Sequence, residues 1–325
     1  MATAHKLSLA TAILINLNIM MGAGIFINTV ELAKRAGLLG AFMYPLIGLL
    51  ILPLIIAIAK LIKLHPAGGF YIFAQKEINP FVGYLSTWSY FIAKLASASL
   101  MIHVSISLIT QIFPALLTYA SILWYDLAVV TVFIGLNLLH MKTGSRIQFG
   151  FLGFKLIPIL FVIGSGLIFF NIASISTLPI IWTGITGSLP FVLYAATGFE
   201  ATCALSSQIE DAERNGPRAI LISFSSMMVL VFLFQFLFYL LLGTTLAAQS
   251  SYLGAFPALL QYLIPNNPTL AYKLQAFFNL AIASSALGGC YGILYSNNWN
   301  LYTLAQHKKI AGWNYLTRLN KHAIP

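Results

Sequence analysis

The chain has 325 residues, 59% hydrophobic and only 7% charged, with a mean hydropathy of +0.89. A soluble domain carries about 25% charged residues, so the composition excludes a soluble globular protein and points to a polytopic membrane protein. The net charge of +10 is spread along the sequence rather than gathered in a patch, which gives no basis for nucleic-acid binding.

Several apolar runs exceed the ~20 residues that cross a bilayer. The first is too long for a cleavable signal peptide and lacks a small-residue cleavage site. Eight spans are predicted, at about 8–34, 40–62, 81–112, 122–140, 147–171, 179–210, 219–247 and 271–304, ahead of a basic, polar tail at 305–325. The third is longer than a perpendicular crossing needs and predicts a tilted helix. With the N-terminus inside, twelve Lys and Arg fall on inner segments, among them Lys60, Lys63, Arg214, Arg218 and Lys321, against Lys34, Arg35 and Lys273 outside. That asymmetry predicts cytoplasmic termini in a cell membrane.

Two spans are interrupted by small residues. In the first, Gly22-Ala23-Gly24 sits mid-span within Met20-Met21-Gly22-Ala23-Gly24-Ile25. In the sixth, Tyr194-Ala195-Ala196-Thr197-Gly198 runs straight into Glu200. Glycine is worth about 1 kcal/mol less than alanine in a helix, and backbone freed by a break must be buried in protein or line a cavity. Two readings of the first segment stand: a discontinuous helix whose free N–H groups receive an anion, or a small-residue packing face. Paired interrupted helices at corresponding positions point to a midplane transport site. There, N-terminal half-helix ends suit a carboxylate and C-terminal ends suit a cation.

Ionisable residues inside spans are costly and usually functional. Glu200 reads as a coupling or gating carboxylate, or as one that caps the broken backbone. Lys155 reads as a proton carrier or fixed cation, or as a structural lysine bonded to the carbonyls of the broken first helix. Lys94 follows Tyr90 by one turn, so both are candidates for the pocket wall; Lys94 could equally snorkel or pair with a carboxylate. Cys203 and Cys290 lie in apolar runs without metal-ligand spacing. Metal-spaced clusters, a nucleophile–base pair and a phosphate loop are not evident, so neither an enzyme nor an ATP-driven pump is expected, and no cofactor is implied.

The ordered set of motifs resembles the amino acid–polyamine–organocation permeases. Met21-Gly22-Ala23-Gly24-Ile25-Phe26 is similar to that family's first-helix signature. Gly198-Phe199-Glu200 followed by 207–218 is similar to its sixth helix and next loop, and Gly68-Gly69-Phe70-Tyr71 to its second connection. Leu301-Tyr302-Thr303-Leu304-Ala305 resembles the end of its eighth helix, and 320–325 the approach to its ninth. The resemblance implies an all-α LeuT-type inverted-repeat fold with helices 1 and 6 discontinuous. It is read as one permease domain over 1–325, with a first repeat at about 8–171 and an incomplete second at about 179–325. It implies alternating-access transport of an amino acid or related amine.

Carried over, the substrate carboxylate meets N–H groups near Ala23, Gly24 and Ile25, and the amino group meets carbonyls near Met20, Tyr194 and Thr197. Gly22, Ala195 and Gly198 complete the binding stretch, and Tyr194 covers the substrate. Lys155 matches the lysine that replaces a sodium ion in proton-coupled members. Ala23 stands where serine is frequent, which implies altered affinity. The family's shared core has two more spans than the eight read here, which implies a product truncated after its eighth helix. The expected function is proton-coupled secondary transport, with the alternatives of an exchanger or of a truncated, non-transporting membrane protein or subunit. Expected partners are an amino acid, protons, the lipid bilayer and a separate chain supplying the missing helices.

Overall fold

The computed structural model describes residues 6–66, 68–139, 141–169, 175 and 178–319. The 320–325 motif, with Lys321, and the expected end of the fifth span at 170–171 lie outside them. Among the described residues the chain is helical without strands. Two isolated bridge pairs, Leu7 with Ile209 and Gly37 with Ile180, tie loops together.

The first predicted span is two helices, α1 (Leu9–Met20) and α2 (Gly24–Ala36), bent by 48°. Next come α3 (Leu39–Leu64), α4 (Phe70–Glu77), α5 (Pro80–Ile112) and the one-turn α6 (Leu116–Tyr119). They are followed by α7 (Ile122–Asn137) and α8 (Met141–Phe169). The sixth span is α9 (Ile185–Ala196) and α10 (Ala201–Leu205). The chain continues with α11 (Ala212–Leu242), α12 (Thr244–Ala247), α13 (Ala255–Leu263), α14 (Pro268–Gln306) and α15 (Trp313–Leu316).

Six described helical stretches are long and apolar enough to cross a membrane, or seven with α1 and α2 taken as one span. The chain is therefore an all-α, multi-pass integral membrane protein. The fourth span is shorter than expected: α7 has 16 residues. At 1.5 Å per residue that is about 24 Å, less than the ~30 Å hydrocarbon core. Three connections between the expected spans contain helices, α4, α6 and α13; all are short and escape a span-length reading.

Local chemistry sets the helix starts. In both α5 and α14 an Asn-Pro pair opens the helix. Asn79 Oδ1 accepts from the Val82 N–H at 2.9 Å, Asn267 Oδ1 accepts from the Leu270 N–H at 3.0 Å, and proline follows at the first position. The asparagine satisfies a first-turn donor, while proline has no N–H to leave unpaired. These two helices pack along each other at the centre, with α8 and α1 against α14 and with α11 against α3 and α1. The outward face of α3 presents Leu49, Leu50 and Leu54, apolar surface that suits contact with lipid.

Glycines on α14 let α1 approach closely. A Cβ on Gly292 would lie 2.4 Å from Ile19 Cγ1, and one on Gly289 would lie 3.4 Å from Gly22 Cα. The bend of the first span is thereby pressed against α14, as small-residue faces permit in membrane helices.

Candidate functional site

The break between α1 and α2 leaves polar backbone in the protein interior, and its partners can be traced. Lys155, fully buried on α8, donates to the carbonyls of Asn18 at 2.8 Å, Met21 at 2.7 Å and Ser285 at 3.2 Å. Ser285 on α14 donates its hydroxyl to Met21 O at 3.0 Å. Asn18 holds the same region from its side chain, donating to Gly288 O at 3.0 Å and to Gln148 Oε1. An ammonium has three donors and no acceptor, and three carbonyls surround this one. No carboxylate forms an ion pair with it among the described residues.

On the other side of the bend, α2 begins at Gly24 behind Ala23, which has no side chain able to cap. Among the described residues, the N–H groups of Ala23, Gly24 and Ile25 take no backbone acceptor, whereas those of Phe26 and Ile27 turn back to Ala23 O at 3.0 Å each. Such first-turn donors carry the partial positive charge of a helix start.

The second break falls slightly later than expected. Ala195 and Ala196 stay helical, and the chain departs at Thr197. Gly198 has φ +112°, a conformation costly for residues with a Cβ, and a Cβ there would stand 3.0 Å from Met20 Cα. The two breaks are therefore in direct backbone contact. The Tyr194 carbonyl accepts from the Thr197 N–H at 3.2 Å and its hydroxyl at 2.8 Å. The Thr197 carbonyl takes no backbone N–H among the described residues.

Between the breaks lies a small cavity of about 20 Å³ lined by Met20, Gly22, Gly24, Tyr194, Ala195, Thr197 and Gly198, with Ile19, Lys94, Ser97, Met101 and Ile293. That holds about one water. The Tyr194 ring lies against Gly24: a Cβ on that glycine would stand 3.2 Å from it. Next to it opens a larger cavity of about 610 Å³, whose lining includes Tyr90, Phe70, Leu193, Phe199 and Glu200. Lys94, Ser97, Tyr194 and Thr197 line both and form the partition.

Glu200 lies behind that partition. Its Oε2 accepts the Gly198 N–H at 2.7 Å, and its Oε1 meets Lys94 Nζ at 2.6 Å and the Tyr90 hydroxyl at 3.4 Å. The carboxylate thus caps the broken backbone and neutralises Lys94, which settles the pairing of Lys94: it does not snorkel. Lys94 Nζ also lies 5.3 Å from the centre of the Tyr90 ring.

Most of the residues anticipated from sequence converge on these two cavities. Of the nine expected to bind substrate, two do not line the small one. Ala23 lines a neighbouring cavity of about 320 Å³ between α2, α5 and α9, and the Ile25 side chain packs into the hydrophobic core; only the backbone of these two faces the break. Lys155 does not line the cavity; it bonds the carbonyls at the end of α1. Sequence reasoning left Ser97 and Met101 out of the site. They continue the helical spacing of Tyr90 and Lys94 along one face of α5, a periodicity that would have found them.

The bent first span and the second interrupted span thus touch, and a fully buried lysine holds carbonyls at the bend. Residues 7–325 match the family described as Amino acid permease, a transporter family, and the chain belongs to it.

Proposed function

We propose that the protein is a proton-coupled secondary transporter that carries an amino acid across the cytoplasmic membrane by alternating access, with both termini in the cytoplasm. The observation that carries this reading is the contact of Gly198 with Met20, which brings two helix breaks together around one cavity. Free N–H groups at Ala23, Gly24 and Ile25 suit the substrate carboxylate, and the Thr197 carbonyl suits its amino group. Met20, Gly22, Tyr194, Ala195 and Gly198 shape the cavity, and Tyr194 is its cover. The cavity must widen before an amino acid enters, and the Tyr194 ring and the Met101 side chain are the groups to move.

Lys155 supports the coupling role. Protonated, it satisfies three carbonyls. After losing a proton it has two donors and a lone pair, so one carbonyl loses its partner and the end of α1 is loosened. Protonation is thereby tied to the position of the helix break.

An inverted repeat, with units at about 8–171 and 179–325, is part of the proposal. The broken spans α1–α2 and α9–α10 would correspond, as would α5 and α14, which share the Asn-Pro start and pack together. The test is uptake of labelled L-amino acids by reconstituted vesicles with and without internal amino acid. Uptake into empty vesicles supports proton-driven entry, whereas uptake that requires preloading makes the protein an exchanger.

A further inference from the structure

Lys94 and Glu200 form a pair of which only the lysine also reaches the small cavity. Lys94 lines the small cavity between the helix breaks as well as the larger one behind it; Glu200 lines only the larger. The carboxylate is engaged by Lys94, Tyr90 and the Gly198 N–H. Glu200 is the carboxylate paired with Lys94 among the described residues, and an ammonium has three donors. On the small-cavity side the cation therefore has donors to spare, next to the Ser97 hydroxyl. Much of the remaining wall is apolar, including Ile19, Met101 and Ile293.

Taking this cavity as the amino acid site proposed above, we infer that Lys94 selects substrates whose side chain ends in a carbonyl-oxygen acceptor, a carboxylate or a carboxamide. Such a group accepts from Lys94 without displacing Glu200, which keeps the lysine aimed. An aliphatic side chain would desolvate the spare donors and return nothing, which is how a polar site rejects an apolar analogue. A cationic side chain would meet a like charge with the compensating carboxylate on the far side. The wall discriminates by hydrogen bonding, whereas the two helix breaks serve the groups common to all amino acids.

The test is direct binding of tritiated L-glutamate, L-glutamine, L-leucine and L-lysine to the purified full chain in detergent. Glutamate and glutamine should bind at least about tenfold more tightly than leucine or lysine, as hydrogen bonds to a charged group imply. In Lys94→Met the ratio of glutamine to leucine affinity should fall towards one, and in Lys94→Arg it should stay above one. Equal or tighter binding of leucine or lysine by the unmodified protein overturns the inference and leaves the transporter reading standing. Binding of none of the four overturns both. A Lys94→Met protein that is folded but weakened equally for every substrate also overturns it, because Lys94 would then be meeting the α-carboxylate. The comparison among substrates on the unmodified chain decides the matter even if Lys94→Met does not fold.

Discussion

Lys155 Nζ and the Met21 carbonyl, 134 positions apart in the chain, meet at 2.7 Å at the bend between α1 and α2. The same carbonyl accepts the Ser285 hydroxyl at 3.0 Å, so α8 and α14 hold the break from two sides. Replacing Lys155 by methionine keeps the apolar stem and removes every donor. The Asn18 carbonyl then loses its Lys155 donor, Met21 O keeps only the Ser285 hydroxyl, and Ser285 O is left to its place within α14; a buried group left unpartnered costs about 1–3 kcal/mol. The unfolding midpoint in detergent should fall by several degrees; an unchanged midpoint would mean that these bonds contribute nothing to the fold.

Gly198→Ala should be far more damaging than an ordinary glycine replacement. The positive φ disfavours any Cβ by roughly 1–2 kcal/mol, and the added methyl would press on Met20 Cα at 3.0 Å. Gly150, with nothing within 4 Å of its Cβ position, is the control. There alanine should be neutral or stabilising by up to about 1 kcal/mol. Parallel melting curves and amino acid binding separate the two; equal behaviour would contradict the close contact of the breaks.

Removing one member of the Lys94–Glu200 pair should cost more than removing both. Glu200→Met leaves an ammonium in a largely buried place, a loss on the order of 3–5 kcal/mol for a well-buried pair, and less here because each side chain is 13% exposed. The double variant Lys94→Met with Glu200→Met should recover part of it. A double-variant cycle on melting free energies measures the coupling, and strict additivity would show that the contact has no energetic role.

Asn28 on α2 donates to the Phe191 carbonyl of α9 at 2.6 Å, linking the half-helix after the first break to the half-helix before the second. Asn28→Ala should loosen that link by about 1 kcal/mol and open the cavity lined by Ala23. A cysteine introduced by Ala23→Cys reports this, since both native cysteines are buried. Thiol labelling should be up to about tenfold faster with Asn28→Ala, because 1.4 kcal/mol is a factor of ten; no change would show that the two half-helices separate freely already.

Much of this arrangement is legible in the sequence because the chemistry is local. Gly22-Ala23-Gly24 mid-span allows a break or a packing face, and Lys155 cannot sit in hydrocarbon without acceptors, so both stretches stand out before the structure joins them. What escapes local reading depends on packing. Ser285 reads in the sequence as a residue that could help bind a cation; that its hydroxyl holds Met21 O depends on α14 lying against the bend. The exact exit from α9 is set by Gly198, since Ala195 and Ala196 are good helix formers and carry the helix further than a small-residue stretch suggests. The shortness of α7 is similarly hidden, because hydrophobicity continues through Leu138 and Leu139 after the helix has ended at Asn137.

The most direct test of the central claim is amino acid uptake into proteoliposomes under an inward-directed proton gradient, comparing the unmodified chain with Lys155→Ala. The account predicts accumulation that a protonophore collapses, and loss of that gradient-driven accumulation in Lys155→Ala. Accumulation that is indifferent to the gradient, or equally proton-driven in Lys155→Ala, would contradict it.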